Sequence, residues 1–524
     1  MNYFKVSKAT DLTGKDKKIY RFLEILPGAL AWGTIIGLII FSYFEPVGSA
    51  FFIILFNIYW LILVLFLGTH LLISFRLMRK YMKIDWKLRC EALEVKNIVV
   101  PHSGETRSVS WRDFYHIIII PNYRESLTVL RSTLNGLVNS DYPHDRLIVV
   151  LATEGREGEE GRQRSQIITK EYAHLFGRFL VTVHPDDIVG ELKGKGANQA
   201  WAAAELKRLI IDKENFDYDL LLVSVFDADT IIYPGYFYCL MYHFLTVDNP
   251  YRASFQPVPV YHNNLWEAPF FARVAAFSNT FWQMMQQLRP EKLATYSSHS
   301  MTWRALVDIG FWSTNMVSED SRIFWHCFCY YKGDYRVEPL YFPVSMDICM
   351  DKGIIKTSSN LYRQQRRWGW GVENIPYLLF NTFKQWKTLP KEAKKRYINH
   401  IIVQLYGFHS WATNALITSV LGWLPLLLGG DRFNSTVLSN NLPTVTKFFM
   451  TLAMVGMVIS AIISVLILPQ DHKGGIKKYV IMLVQWLFLP VVIIVFGAIP
   501  GLEAQTRLML GKYMGFWVTP KHRE

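Results

Sequence analysis

Residues 220–229 read Leu-Leu-Leu-Val-Ser-Val-Phe-Asp-Ala-Asp, a hydrophobic run that ends in two carboxylates one residue apart. An uninterrupted apolar run of this kind is typical of a strand that is buried on both faces of a parallel sheet. Comparable β-rich runs occupy residues 116–123, 146–153, 178–184 and 253–260. Stretches with a helical pattern lie between the runs, at residues 126–139, 163–176, 198–212 and 235–247. The alternation predicts an α/β domain in which a twisted, mostly parallel sheet carries helices on both faces.

Polar residues collect where these predicted strands end. The first strand ends in Pro-Asn-Tyr-Arg-Glu at residues 121–125, and the second in Ala-Thr-Glu-Gly at residues 152–155. After the third strand, residues 194–198 read Gly-Lys-Gly-Ala-Asn and open a predicted helix. In open α/β sheets, ligands bind beyond the carboxyl ends of the strands. The sequence therefore predicts a binding site at this edge of the sheet.

Two of these stretches have a chemical and a plain structural interpretation. Asp227 and Asp229 can hold a divalent cation together with phosphate oxygens, or they can form an acidic turn. Their place at the end of a hydrophobic strand favours the cation. Residues 194–198 can bring backbone N–H groups and the Lys195 ammonium to a phosphate, or they can be an ordinary turn and helix cap. From the residues alone, these two interpretations of 194–198 stay equally open.

Two apolar runs near the start of the chain, residues 26–44 and 51–75, contain no Asp, Glu, Lys or Arg. Each is long enough to cross a hydrocarbon core of ~30 Å as a helix. Basic residues flank the pair, so the positive-inside rule places the N-terminus and everything after residue 75 in the cytoplasm. No run between residues 84 and 397 could span a bilayer. A second apolar block follows, with candidate segments at residues 406–428, 448–468 and 479–499.

The number of crossings in this C-terminal block stays open. The basic loop 471–478 fits the cytoplasmic side, but three crossings would leave the basic tail, residues 502–524, outside, against the charge rule. Pro490 also interrupts the last apolar run, so that segment is either broken or re-entrant.

Composition limits the class of protein. Of 524 residues, 51% are hydrophobic, 15% aromatic and only 19% charged, which excludes a disordered chain and favours a membrane protein. Five cysteines are too few to staple a chain of this length, so a disulfide scaffold is excluded. A net charge of +13 beside membrane segments indicates cytoplasmic loops and attraction to anionic headgroups rather than binding of nucleic acid.

Two further motifs lie beyond the predicted sheet. One is Ser318-Glu319-Asp320, and the other is Gln-Gln-Arg-Arg-Trp-Gly-Trp-Gly at residues 364–371. Taken singly, an acidic pair before a helix is a capping feature, and basic residues beside tryptophan are interfacial anchors.

Taken together and in this order, the motifs resemble those of the membrane-integrated family 2 glycosyltransferases, the relatives of cellulose, chitin and hyaluronan synthases. Asp227-Ala228-Asp229 matches D-x-D, Ser318-Glu319-Asp320 is similar to T-E-D, and Gln364, Arg367 and Trp368 form a full Q-x-x-R-W. Residues 121–125 and 194–198 match the first-strand motif and the lysine loop. The resemblance covers about residues 84–375 and the flanking membrane blocks. One departure is clear: where the family has an Asp-Asp-Gly-Ser type motif, residues 150–154 read Val-Leu-Ala-Thr-Glu, so the first carboxylate is absent or displaced to Glu154.

The resemblance implies a GT-A fold and inverting transfer from a UDP- or GDP-linked sugar to a glycan or lipid-linked acceptor. It implies Asp320 as the base that takes the acceptor proton and Asp229 as the ligand of Mg²⁺ or Mn²⁺ at the diphosphate. Asp227 is expected near both the ribose and the metal. Further nucleotide-sugar contacts are expected from Pro121, Tyr123, Glu125, Glu154, Lys195 and Arg367, and acceptor contacts from Glu319, Gln364 and Trp368.

These observations divide the chain into five expected parts. They are residues 1–83 with two membrane helices, a cytoplasmic GT-A domain at 84–373, an interfacial amphipathic segment at 374–397, a membrane block at 398–501 and a basic tail at 502–524. For residues 375–386 the alternative is a core helix of the soluble domain. The chain is expected to be a multi-pass protein of the plasma membrane or an equivalent membrane.

The favoured function is processive synthesis of a polysaccharide with export. The alternatives are a non-processive transferase that adds one sugar to a lipid, a transporter with a large cytoplasmic domain, and an inactive nucleotide-binding scaffold. A scaffold would be expected to lack Asp229, Asp320 or Arg367, and all three are present.

Overall fold

The predicted sheet lies at the centre of the computed structural model, which describes residues 3–93, 95–100, 103–468 and 475–519. Parts of the basic loop 471–478 and of the basic tail 502–524 therefore lie outside the described residues. In chain order, the described strands are Lys96–Val99 (β1), Thr106–Val109 (β2), Tyr115–Pro121 (β3), Leu147–Glu154 (β4), Arg178–His184 (β5), Leu221–Val225 (β6), Ile231–Ile232 (β7), Ala253–Tyr261 (β8), Ser300–Thr302 (β9) and Arg336–Met346 (β10).

Eight of these strands form one mixed sheet in the order β5-β4-β3-β6-β9-β8-β10-β7, and β1 and β2 form a separate antiparallel pair. The pairs β3–β4, β3–β6, β4–β5 and β8–β10 are parallel. The short strand β9 pairs antiparallel with both β6 and β8 and joins the two parallel parts. The five strands predicted from hydrophobic runs are all present, whereas β7, β9 and β10 were not predicted.

The sheet is buried on both faces, which explains its uninterrupted apolar strands. Every residue of β4 is buried, as expected for a central parallel strand. The described helices of the catalytic domain are Trp86–Ala92 (α3), Leu127–Val138 (α4), Gly158–Tyr172 (α5), Lys195–Leu206 (α6), Tyr236–Thr246 (α7), Phe270–Gln287 (α8), Trp303–Ile309 (α9), Glu319–Tyr330 (α10), Ile354–Gly369 (α11) and Asn374–Gln385 (α12). Helices α4, α5 and α7 cover one face, and α6, α9 and α10 cover the other. The predicted α/β, GT-A-like fold class is confirmed.

The remaining helices are mostly apolar. They are Gly14–Phe44 (α1), Pro46–Tyr81 (α2), Lys391–Ser419 (α13), Leu424–Leu428 (α14), Gly430–Asn434 (α15), Val437–Leu466 (α16), Ile476–Val484 (α17), Leu489–Ile493 (α18) and Ile499–Met509 (α19). Among the described residues, α1, α2, α16 and the segment Ile476–Met509 are long and apolar enough to cross a membrane. Helix α13 and the stretch Leu421–Leu428 would form a fifth, broken span with a bend of 48°. The predicted placement of apolar helices on both sides of the catalytic domain is confirmed.

The last apolar segment, Ile476–Met509, is broken and packs along the catalytic domain. A 3₁₀ turn at Gln485–Phe488 and a π turn at Ile494–Ala498 flank the short helix α18, which contains Pro490. Its aromatic side chains contact α8 at three places, through the pairs Phe281–Trp486, Phe270–Phe488 and Phe271–Phe496. The central part of the segment, from Trp486 to Phe496, is therefore in contact with the central domain.

Helix α12 falls in the stretch for which an interfacial position was predicted. Its side chains Ile375, Tyr377, Leu378 and Phe380 are buried within the protein, where they join three of its hydrophobic clusters. Phe383 is 62% exposed. Most of the apolar face of α12 thus belongs to the protein core, and contact with the headgroup layer stays a prediction for its exposed C-terminal end.

Candidate active site

The carboxyl ends of β3, β4, β6 and β8 lie along one edge of the sheet, because these four strands run in one direction. Helix α6 begins at Lys195, and α10 begins at Glu319 and carries Asp320 in its first turn. The two helices approach closely: a Cβ on Gly196 would lie 2.9 Å from the carbonyl oxygen of Ser313 and 3.1 Å from Cβ of Glu319. The predicted lysine loop and the Ser-Glu-Asp motif therefore meet at the same place.

Lys195 is the centre of a cluster of charges. Its Nζ lies 2.6 Å from Oδ1 of Asp227, and it lies 2.7 and 2.9 Å from the two carboxylate oxygens of Asp320. A third carboxylate, that of Glu319, is 3.8 Å away. The cluster joins the first acid of D-x-D to the predicted base through one ammonium.

Burial and the three acids act on Lys195 in opposite directions. Burial by itself lowers the pKa of the ammonium, but the charges of Asp227, Asp320 and Glu319 outweigh it and raise the pKa above its ordinary value. Glu319 is itself buried, and burial together with the charge of Asp320 raises the pKa of its carboxyl, although Lys195 opposes this. Lys195 is thus a permanent cation among acids that have little water around them.

Two hydrogen bonds hold the acids of D-x-D in place. Oγ of Ser297 donates to Oδ2 of Asp227 at 2.7 Å. Asp229 is buried, and its Oδ2 accepts the backbone N–H of Asp347 at 3.1 Å. Asp347 follows β10, so the end of that strand positions the second acid of the motif.

The loop before α10 is clamped by a buried carboxylate that was not predicted from the sequence. Oε1 of Glu373 accepts the N–H groups of Val317 and Ser318 and the hydroxyl of Ser318, at 3.3, 3.0 and 2.7 Å. Its Oε2 accepts Nε1–H of Trp370 at 2.9 Å. Glu373 lies five residues after Trp368, the end of the Q-x-x-R-W motif, so it connects that part of the chain to the loop that leads to Asp320.

Two buried side chains near the acids were also not predicted. Tyr261 ends β8, and burial together with the charges of Asp227 and Asp229 raises the pKa of its hydroxyl. The Nδ1–H group of His299 donates to the carbonyl oxygen of Tyr296 at 2.9 Å, and its Nε2 has no partner among the described residues. Burial lowers the pKa of His299, so the ring is neutral. The position of Tyr261 directly after the predicted strand 253–260 was a signal in the sequence, whereas His299 precedes β9, which was not predicted.

The Q-x-x-R-W residues Gln364, Arg367 and Trp368 lie on helix α11. Gln364 and Trp368 line a small void of about 10 Å³, together with Tyr261 and Asp347. The rings of Tyr261 and Trp368 are 6.4 Å apart. Arg367 lies near enough to Glu319 to oppose the rise of its pKa. Gln364 and Trp368 thus lie beside Asp347, whose backbone N–H holds Asp229, and Arg367 lies near Glu319, so these residues and the acids together form the candidate pocket.

The segment after α19 forms a wall of this pocket. Gly194, which precedes the lysine, lies directly against Phe516, since a Cβ on Gly194 would be 2.5 Å from Cγ of the ring. The guanidinium carbon of Arg367 lies 5.1 Å from the centre of the same ring. Phe516 therefore lies between the lysine loop and the Q-x-x-R-W helix, a position that no pattern in the sequence indicated.

Four other residues predicted to contact the nucleotide sugar, Pro121, Tyr123, Glu125 and Glu154, lie at the carboxyl ends of β3 and β4. Pro121 is the buried last residue of β3, and the backbone N–H of Tyr123 donates to Oε2 of Glu125 at 2.6 Å. Oε2 of Glu154 accepts Nε–H of Arg156 at 2.6 Å.

The acids at the end of β6 are suitable ligands for a hard cation. Mg²⁺ and Mn²⁺ prefer oxygen ligands, and Mg²⁺ is often held by one or two carboxylates together with substrate phosphates. Asp227 and Asp229 supply two such carboxylates. In this structure the ammonium of Lys195 contacts Asp227. Within the described parts of the chain, no group of three or more His, Cys, Asp or Glu side chains could hold a metal by itself. The donor set therefore fits a metal that also binds a diphosphate.

Comparison with known proteins agrees with the motifs. The family model described as glycosyl transferase family group 2 matches residues 222–498, more than half of the chain. The matched region contains D-x-D, Ser-Glu-Asp and Q-x-x-R-W. No curated protein matches the sequence.

Two solved structures illustrate the structural similarity. The mannosyltransferase PcManGT from Pyrobaculum calidifontis, in complex with GDP-Man and Mn²⁺, is 14% identical, with a TM-score of 0.40 over 77% of this chain and 99% of that chain. S. aureus TarS 1–349, in complex with UDP-GlcNAc, is 11% identical, with a TM-score of 0.29 over 70% of this chain and 95% of that chain.

Proposed function

Because the chain belongs to glycosyl transferase family group 2, we propose that it moves a sugar from a nucleoside diphosphate sugar to the end of a growing glycan, with inversion at the anomeric carbon. The observation that carries the proposal is the bridge made by Lys195 between Asp227 and Asp320. The Lys195 ammonium holds two carboxylates close together: Asp227, which is suited to the diphosphate end, and Asp320, which is suited to proton transfer. Inverting transfer needs both groups, on opposite sides of the reacting carbon.

Asp320 acts as the base in this proposal. A displacement at the anomeric carbon requires the acceptor hydroxyl to lose its proton as the new bond forms. The clamp of Glu373 on Val317 and Ser318 fixes the loop that leads to Asp320. That contact supports Asp320 as a positioned group, since a base must lie within hydrogen-bond reach of the proton it takes.

Lys195 has two successive partners in this proposal. Without substrate, its ammonium neutralises Asp227 and Asp320. A diphosphate carries more negative charge than either carboxylate, so it attracts the ammonium when the donor binds. The movement leaves Asp320 able to accept the acceptor proton.

A divalent cation, Mg²⁺ or Mn²⁺, would be held by Asp227 and Asp229 and would neutralise the leaving diphosphate. Arg367 adds a planar cation suited to phosphate oxygens. On the acceptor side, Trp368 offers an apolar ring on which a sugar can stack. Gln364 offers an amide that can donate and accept hydrogen bonds, and Glu319, which is buried beside Lys195, offers a carboxyl group that can bond to the acceptor.

The full chain, purified in detergent, tests this function. It should hydrolyse or transfer from at least one member of a panel of UDP- and GDP-linked sugars, and the product should carry the inverted anomeric configuration by NMR. A retained configuration would contradict inversion. Release of products that each carry one added sugar, on lipid acceptors only, would replace polymer synthesis with the single-addition alternative.

We also propose that the chain crosses the membrane four times, through α1, α2, α13 with α14, and α16. The segment Ile476–Met509 stays on the side of the catalytic domain, because its central part, from Trp486 to Phe496, contacts α8. Arg21, at the start of α1, donates to the carbonyl oxygens of Leu508 and Met509. The two ends of the chain then lie together in the cytoplasm, as the charge rule requires.

Cysteine labelling in sealed membranes tests this topology. A Lys512→Cys variant should react with a membrane-impermeant maleimide only from the cytoplasmic side. Asn440 lies near the N-terminal end of α16, which the proposed topology places outside. An Asn440→Cys variant should therefore react only from outside, and it is the matched control. The five native cysteines are buried, so they contribute little background. Labelling of Lys512→Cys from outside would require an odd number of crossings.

A further inference from the structure

The end of the pocket formed by β3 and β4 carries charged and polar groups that the proposed chemistry does not use. Oε2 of Glu154 accepts Nε–H of Arg156 at 2.6 Å, and the guanidinium carbon lies 3.7 Å from the centre of the Tyr123 ring. The Nη2 group of Arg156 is buried and has no hydrogen-bond partner among the described residues. A carboxylate, a guanidinium and an aromatic face therefore lie side by side at the ends of two neighbouring strands.

Buried amides lie at the same strand ends. The backbone N–H of Asn122 and Nδ2–H of Asn198 both donate to the carbonyl oxygen of Ala152, each at 2.8 Å. Both side-chain amide atoms of Asn122, which is 2% exposed, are without a partner among the described residues, as is Oδ1 of Asn198. A buried amide atom without a partner costs about 1–3 kcal/mol. Such atoms at a binding edge are explained by a ligand that satisfies them.

We propose that this end of the pocket binds guanine, so that the sugar donor is a guanosine diphosphate sugar. The inference rests on the proposed function, because it names the base of the same donor. Guanine presents two adjacent donors, N1–H and N2–H, which match the two oxygens of a carboxylate such as that of Glu154. It also presents two acceptors, O6 and N7, which match a guanidinium such as that of Arg156.

The other bases leave more of this site unpaired. Uracil presents one N–H between two carbonyl oxygens, so the second oxygen of Glu154 would face an acceptor. Adenine has no N1–H, and cytosine presents its amino group beside two acceptors. The planar guanidinium on Tyr123 also provides a face on which a purine can stack. The charge pair thus favours guanine over the other three bases.

Calorimetric binding to the full chain in detergent, with Mn²⁺ present, tests the inference without any variant. GDP should bind at least about tenfold more tightly than UDP, ADP or CDP, as expected when one bidentate base contact discriminates. Equal or tighter binding of UDP would overturn the inference and leave the proposed function intact. Failure of every nucleoside diphosphate to bind would overturn the proposed function as well.

Two variants locate the preference. Arg156→Ala and Glu154→Gln should each weaken GDP binding about ten- to a hundredfold and change UDP binding by less than about threefold, which removes the preference. Arg162→Ala, on the exposed face of α5 beside Glu159, is the matched control and should change neither affinity. Equal losses for GDP and UDP would overturn the assignment of these residues to the base. Retained GDP preference in both variants would do the same.

Discussion

The two ends of the pocket satisfy their polar groups differently. Around Lys195, the described charges pair with each other, since one ammonium contacts Asp227, Asp320 and Glu319. At the ends of β3 and β4, the buried side-chain amide atoms of Asn122 and Oδ1 of Asn198 have no partner within the described parts of the chain. Burying an unpaired charge costs much more free energy than burying an unpaired neutral amide. The charges therefore pair within the protein, whereas the amides can stay unpaired until a ligand binds. We therefore expect substitutions at the two ends to affect different kinetic constants.

The largest effect is expected at the Lys195 end, from Asp320→Asn. The variant keeps the shape of the side chain and a contact with Lys195, but it cannot take a proton. Transfer should fall about 10²- to 10⁴-fold, while GDP and UDP affinities stay within a few fold. Asp308→Asn, remote from the pocket and bonded to Tyr331, is the control. A large loss of nucleotide affinity with transfer intact would assign Asp320 to the donor instead.

The second effect concerns Asp229 and the metal. Asp229→Asn should lower transfer about a hundredfold or more, because the leaving diphosphate loses compensation of several kcal/mol. Removal of divalent ions with excess chelator should have a similar effect on the native chain. The variant should also bind Mn²⁺ more weakly, as measured by electron paramagnetic resonance without substrate. Full activity of the native chain in excess chelator would exclude a required metal.

The third effect concerns Phe516, which lies between the lysine loop and the Q-x-x-R-W helix. Gly194 has an extended backbone with φ of 162°, so Gly194→Ala is disfavoured by space rather than by conformation. The new methyl group would displace Phe516 and the lysine loop, and transfer should fall about ten- to a hundredfold. The double variant Gly194→Ala/Phe516→Ala should recover part of this loss. A double variant no better than the single one would remove Phe516 from the cause.

Gly407→Ala is the matched control for Gly194→Ala. No atom lies within 4 Å of the position that a Cβ on Gly407 would take, so the same added methyl group meets open space. Transfer by this variant should equal that of the native chain.

A smaller effect is expected on the acceptor side. Trp368→Ala should lower acceptor-dependent transfer about tenfold, because a sugar loses its stacking surface. The affinity for nucleoside diphosphates and the rate of donor hydrolysis should stay near the native values. The comparison of transfer with hydrolysis separates a lost acceptor contact from a distorted pocket. An equal loss of both rates would indicate that Trp368 supports the fold around Tyr261 instead.

The smallest effect on turnover is expected at the strand ends. Asn122→Ala should raise the KM for the donor several fold and leave kcat unchanged. Its free energy of unfolding should stay within about 1 kcal/mol of the native value, because no side-chain hydrogen bond is lost. Asn198→Ala removes the bond to Ala152 and should be less stable. A strongly destabilised Asn122→Ala variant would assign that amide to the fold rather than to a ligand.

The sequence by itself determined the class of fold and the order of its chemical parts. The five hydrophobic runs, the strand-end motifs and the apolar helices are properties of consecutive residues, so local periodicity and composition are enough to predict them. The strand predicted at residues 178–184 matches Arg178–His184, and the helices long and apolar enough to cross a membrane include both predicted N-terminal spans. The departure at Glu154 was likewise visible in the sequence, although its consequence was not.

Only the tertiary structure decided which of these parts meet. Lys195 and Asp320 are 125 positions apart in the chain, and Phe516 comes more than 300 residues after the glycine that it covers. Short strands such as β9 form because neighbours already in place offer them hydrogen-bond partners, which a three-residue run cannot indicate. The path of Ile476–Met509 depends in the same way on the aromatic surface of α8. Pairing and packing between distant residues depend on the whole fold. The pattern of hydropathy along the chain therefore cannot predict them.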